Sequence, residues 1–126
     1  MISFDDFVKV ELRVGTVLEA EEVEGSEKLI KQIVDFGEMG TRQILSGIKK
    51  WYKDPSLRSG TLPFSDEKVK PATFSKLIGK QFIYVFNLEP RMMMGLESAG
   101  MLLATDTDKP LPIKPSSKVP AGTKLR

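Results

Sequence analysis

The chain has no histidine and no cysteine. The first absence removes the commonest general base, and with it every Ser-His-Asp or Cys-His arrangement. The second removes disulfides, thiol redox chemistry, c-type haem attachment and structural zinc sites. A metal would have to be held by oxygen ligands alone. Long apolar runs are missing too. The longest, Phe82-Ile83-Tyr84-Val85-Phe86, falls far short of a bilayer span. Residues 1–10 carry Asp5 and Asp6 and no apolar stretch, so they do not read as a signal peptide. These gaps point away from an enzyme and away from a membrane. They point to a cytoplasmic binding module that uses no cofactor.

What is present suits one domain. The chain has 126 residues, and 40% of them are hydrophobic, enough for a single modest core. The net charge of +2 hides a division. Residues 1–40 hold ten acids and four bases, a net −6; the remainder is net +8. The tail, residues 109–126, has five bases and no acid. A one-sided basic surface attracts polyanions, because each phosphate contact releases a counterion. An unevenly charged solvated surface would look the same in composition.

The local pattern reads mostly as strands. Ser3 is placed to cap a short helical turn over residues 4–7. From Val8 to Val14 apolar and polar residues alternate, which predicts a half-buried strand that continues past Gly15. A glycine there suggests a bulge or sharp bend. Further strands are predicted over residues 28–36, 41–45, 82–86 and 101–105, with a turn at Gly37-Glu38-Met39-Gly40. Between the third and fourth strands lies a long stretch with a helix around residues 48–52 and Pro/Gly-rich loop after it. The four prolines after residue 105 predict short edge strands or turns. Five strands with a long connection between the third and fourth describe an all-β, OB-fold barrel; an SH3-like barrel is the alternative on pattern alone.

Three stretches carry a resemblance. They are Val10-Glu11-Leu12-Arg13-Val14-Gly15-Thr16-Val17, then Glu27-Lys28-Leu29 through Arg42-Gln43-Ile44-Leu45-Ser46-Gly47-Ile48, then Asn87-Leu88-Glu89-Pro90-Arg91 through Ser98-Ala99-Gly100-Met101. In this order they resemble the tRNA-binding domain family. That family includes the C-terminal domain of bacterial methionyl-tRNA synthetase, free-standing tRNA-binding proteins and CsaA-type chaperones. The resemblance implies an OB barrel over residues 8–105. It also implies N- and C-terminal extensions, residues 1–7 and 106–126, that join two copies into a homodimer. It implies tRNA as the partner, with methionyl-tRNA synthetase or unfolded peptides as further candidates.

The site carried over by the resemblance is Lys28, Arg42, Ser46, Asn87, Arg91, Ser98 and Met101. Lys28 and Arg42 would meet phosphates, while Asn87, Ser98 and Met101 would meet a base. Each has a plainer reading. Lys28 reads equally as an exposed strand lysine, and Asn87 and Ser98 as turn residues bonding their own backbone. Two departures stand out. Glu89 replaces the lysine usual in the family's Asn-Leu-Lys-Pro, and Met92-Met93-Met94 replace basic residues. Each lost phosphate contact lowers the salt slope by about 0.9 for a duplex and about 0.7 for a single strand. Three methionines in a row on a strand or loop cannot all point inward, and exposed methionines suit adaptable peptide surfaces. Residues 56–73 read as an insertion relative to the family. Ser46-Gly47-Ile48-Lys49 fits Ser-x-x-Lys but lacks every partner motif of the penicillin-binding enzymes. Residues 106–108 lack the oxygen ligands a calcium site needs. The function implied is a non-catalytic, free-standing tRNA-binding protein; the alternative is a CsaA-like chaperone with a methionine-rich groove.

Overall fold

The computed structural model describes residues 1–53 and 74–126. The expected insertion and most of the loop before the fourth strand lie outside the described residues. A one-turn helix α1 (Phe4–Phe7) opens the chain, and Ser3 Oγ accepts from the Asp6 N–H at 3.1 Å as its cap. Then follow β1 (Leu12–Glu22), β2 (Ile30–Asp35), a single 3-10 turn (Gly37–Met39), β3 (Thr41–Ser46), a one-turn helix α2 (Lys49–Tyr52), β4 (Gln81–Val85), β5 (Arg91–Met93), β6 (Leu96–Ser98) and β7 (Met101–Leu102). No helix among the described residues is long and apolar enough to cross a membrane.

The main sheet runs β3-β2-β1-β4-β7, all antiparallel. Long β1 serves both halves. Its first part pairs with β4 and its second with β2, overlapping at Thr16. Gly15 sits at that handover. A Cβ there would lie 2.3 Å from Val34 Cγ1 and 2.8 Å from the Phe36 ring, so only glycine lets the core close over the strand. The bulge itself falls between Val17 and Glu19, not at Gly15. The other edge of β3 meets the segment after β6. The Ala99 N–H donates to Gln43 O at 2.8 Å, and Gln43 Nε2 donates to Glu97 O at 2.9 Å. The result is a nearly closed five-stranded barrel of OB type.

The core is the barrel interior. Val17, Ile30, Val34, Phe36, Ile44, Phe74 and Tyr84 are fully buried. Phe36 packs edge-to-face on Tyr84 and Phe86, with centroids 5.5 and 5.0 Å away, the arrangement that ring quadrupoles favour. The Tyr84 hydroxyl donates to Gln32 Oε1 at 2.9 Å, and burial pushes its pKa well above the ordinary phenol value.

Three expectations are corrected. The first strand starts at Leu12 rather than Val8. The Lys9 and Val10 N–H groups continue the turn after α1, bonding Asp6 O and Phe7 O, and Val8 and Val10 stay exposed. The strand at residues 101–105 ends at Leu102; beyond it Ala104 bridges Pro112 and the Thr105 N–H reaches Leu111 O. The β5–β6 hairpin carries no alternating pattern and was not predicted. Its tip is Met94-Gly95, with φ of 51° and 79°, as a two-residue hairpin turn of mirror-image type requires. The tail forms turns and isolated bridges, as expected, and returns alongside β1. Gly122 donates to Val14 O at 2.7 Å and Leu125 to Leu12 O at 2.9 Å. Gly122 has φ +88°, and a Cβ on it would lie 2.1 Å from Phe36 O, so the tail docks only because no side chain intervenes.

Candidate nucleic-acid interface

The motif residues separate into two groups. Arg42 projects from β3 across Phe86, its guanidinium carbon 3.6 Å from the ring centroid. It donates to Phe86 O and, at 3.4 Å, to Ala99 O. Ser98 is buried; its Oγ accepts from the Leu45 N–H at 3.0 Å and donates to Gly100 O at 3.2 Å. Asn87 uses both ends of its amide on the N-terminal segment. Oδ1 accepts from the Glu11 N–H at 2.8 Å and Nδ2 donates to Lys9 O at 2.6 Å. These three residues hold backbone to backbone between distant segments. A side-chain amide engaged at both ends has little left for reading a base edge.

The second group gathers around Gly47. Ile48 is buried and Tyr52 packs against the core, which fixes one face of α2. The Lys49 N–H donates to Lys28 O at 3.1 Å and ties α2 to the turn before β2. Between them opens a cavity of about 750 Å³ lined by Lys28, Lys49, Lys50, Trp51 and Lys53, with Glu27 the single acid among the described residues that line it. Lys50 Nζ lies 5.5 Å from the Trp51 ring centroid, within cation–π range. Lys49 and Lys53 also face Glu22, at 3.7 and 2.9 Å. The hydrogen bond from Lys53, reinforced by both charges, holds the Glu22 carboxyl below its ordinary pKa. Lys28 and Lys50 have no ion pair among the described residues.

Gly47 also borders a smaller depression of about 240 Å³, walled by Ser46, Met101, Leu102, Ala104 and Pro110. Met101 is 46% exposed. Ser46 is buried, and its Oγ has no hydrogen-bond partner among the described residues. A buried hydroxyl without a partner is costly, and this one borders an open depression. Thus Ser46 and Met101 line one depression and Lys28 the neighbouring cavity, with Gly47 on the border of both, while Arg42 and Ser98 tie the β3–β6 seam and Asn87 ties the segment before β1. Arg91 is exposed at the start of β5, opposite Ser98 in the hairpin. Met92 and Met94 are exposed on the same hairpin, at 65% and 57%.

Trp51 was missed among the sequence-derived candidates. It is the sole tryptophan, flanked by Lys49, Lys50 and Lys53. A lone aromatic among bases is a recurrent device for stacking single-stranded nucleotides, and that was the available signal.

Residues 12–62 and 65–124 match the family described as "Putative tRNA binding domain". The methionine–tRNA ligase of Methanothrix thermoacetophila is 43% identical over 127 residues, spanning 100% of this chain and 16% of the ligase. The ligase of Caldanaerobacter subterraneus is 41% identical over 125 residues, again with 16% of its length matched. The chain therefore spans about one sixth of these curated relatives. Among solved structures, the MetRS related protein of Pyrococcus horikoshii superposes with TM-score 0.77 at 34% identity, covering 100% of this chain and 98% of that one. The chaperone CsaA of Bacillus anthracis gives TM-score 0.77 at 29% identity, covering 100% and 99%. With sequence, fold and family model in agreement over nearly its whole length, the chain belongs to the tRNA-binding domain family.

Proposed function

We propose that the protein is a non-catalytic tRNA-binding module whose contact surface centres on α2. The observation that carries this is Trp51 set among Lys28, Lys49, Lys50 and Lys53, beside the open Ser46–Met101 depression. An unstacked base would lie on Trp51, the lysines would meet the flanking phosphates, and Ser46 Oγ would bond the next base or ribose. Arg42, Asn87 and Ser98 would act by holding the barrel, and Arg91 by contact from the hairpin. The proposal extends to a cytoplasmic, free-standing protein acting beside methionyl-tRNA synthetase; the 34% identity to the MetRS related protein of Pyrococcus horikoshii supports the link to that enzyme. Because Trp51 is the only tryptophan, its fluorescence is the test. Saturating tRNA should quench it, and affinity should fall steeply with salt. Binding without any change in Trp51 emission would sink the α2 surface.

One observation favours a second reading. Met92 and Met94 stand exposed on the β5–β6 hairpin, and flexible methionines suit adaptable peptide grooves. An unfolded peptide that binds at salt concentrations abolishing tRNA binding would support a CsaA-like role. The exposed Ile2, Phe4, Phe7, Val8 and Val10 near one end, with Leu111 and Ile113 of the tail, support a homodimer through the two extensions. Phe4→Asp/Phe7→Asp should then halve the mass seen by light scattering; an unchanged mass would remove the extensions from the interface.

A further inference from the structure

A second basic cavity lies beyond α2. It measures about 600 Å³ and is walled on one side by residues 76–82 and on the other by residues 111–118. Lys76, Lys80, Lys114 and Lys118 line it together with Ser116 and Ser117, and no acidic residue lines it among the described residues. All four lysines are exposed, and none has an ion pair among the described residues. Four cations around one hollow repel each other. Such an arrangement is stabilised by an anion that occupies the middle.

Both walls are held to the barrel. Gly79 donates to Val17 O at 2.8 Å, and Val17 donates to Lys80 O at 2.9 Å. Opposite, Ile83 donates to Ile113 O and Ile113 to Leu103 O, each at 2.9 Å. Gln81 clamps the far end: Nε2 donates to Val119 O at 2.6 Å, and Oε1 accepts from the Val119 N–H at 3.0 Å. The lysine stems therefore rise from backbone held in place.

The two basic cavities are joined by α2. Trp51 lines the first and Tyr52 the second. Successive helical side chains point about 100° apart, so this one-turn helix divides two adjoining hollows. Tyr52 is kept in place by packing on the core and by its hydroxyl, which donates to Pro110 O at 3.3 Å.

We infer that the lysine cavity is a second phosphate-binding station, which takes the RNA backbone after it has crossed α2 from the Trp51 cavity. This rests on the tRNA-binding reading above and adds the C-terminal segment to the contact surface. It also gives the acid-free tail a role in recognition. Contacts here go to phosphates and carry no base preference.

The test compares two charge-matched variants of the full chain. Lys114→Ala/Lys118→Ala removes two lysines from the cavity; Lys9→Ala/Lys124→Ala removes two exposed lysines outside both cavities. Affinity for bulk tRNA is measured from about 50 to 200 mM salt, with Trp51 quenching followed in the same titrations. The expected result is a log–log salt slope reduced by about 1.4 to 1.8 in the cavity variant, two phosphate contacts' worth. The control should keep nearly the wild-type slope, and Trp51 should quench at saturation in both. Equal slopes in the two variants, with quenching intact, would overturn the second station and leave the tRNA reading standing. A wild type that binds no tRNA at low salt would overturn both.

Discussion

The seam of the barrel and the surface around α2 both contain family-motif residues, yet they treat polar side chains in opposite ways. At the seam and just before β1, Arg42, Asn87 and Ser98 direct their donors and acceptors at backbone groups of distant segments. Around α2, Ser46 Oγ has no partner and Lys28 and Lys50 form no ion pair among the described residues. The difference teaches that residues of one motif set differ in whether their polar atoms are already satisfied inside the fold, and on the proposed reading that is what separates a structural role from a contact.

Substitutions can break this contrast or sharpen it. The largest effect is expected at the seam. Arg42→Ala removes a charged donor from two carbonyls and a cation from the Phe86 face. It should lower stability by about 3 kcal/mol, or roughly 10 °C in melting temperature. At a temperature where both forms are folded, tRNA affinity should stay within about twofold. A large affinity loss in a stable variant would move Arg42 to the contact surface. Trp51→Ala should do the reverse: a melting temperature nearly unchanged, and tRNA affinity weaker by about 2 kcal/mol, roughly 30-fold. Ser46→Ala should weaken binding by about 1 kcal/mol while leaving stability equal or slightly higher, because a buried hydroxyl without a partner is removed. A clear loss of stability would mean that the hydroxyl has a use inside the fold.

The smallest effect is electrostatic. Lys53 and Lys49 hold the Glu22 carboxyl below its ordinary value of 4.5. A carboxylate with a lowered folded-state pKa stabilises the fold above its unfolded value, and that contribution disappears as the pH falls through the folded value. Denaturation midpoints should therefore drop slightly more steeply below about pH 4.5 in the wild type than in Lys53→Ala. The partners are largely solvated, so the difference will be small. Identical acid profiles would show that the lysines around Trp51 are not tied down by Glu22.

Much of the fold was legible because strand periodicity is local. Residues 30–36, 41–45 and 82–86 show their burial in the sequence itself, and the capping serine of α1 sits three residues before the N–H it receives. The β5–β6 hairpin was not legible. Its strands have three residues each, too few to show a period, and its turn places Met94 in a left-handed conformation that methionine rarely signals. Lys28, Ser46 and Met101 stand out in the sequence as motif residues, and the structure sets them along the two hollows that meet at Gly47. Trp51 was overlooked because a tryptophan beside lysines becomes a platform only when the rest of its helix is anchored by Ile48 and Tyr52.

The sequence by itself carried the family motifs, and its lack of histidine and cysteine excludes imidazole and thiol chemistry. Its strand pattern narrowed the fold to a small barrel, and the family motifs pointed to the OB type. Only the tertiary structure decided which polar residues remain available. Asn87 is satisfied by residues 76 and 78 positions away, Ser98 by one 53 positions away, and the lysine cavity joins residues 76–82 to residues 111–118. The physical reason is that periodicity and charge are properties of neighbours in sequence, whereas hydrogen-bond satisfaction is a property of neighbours in space.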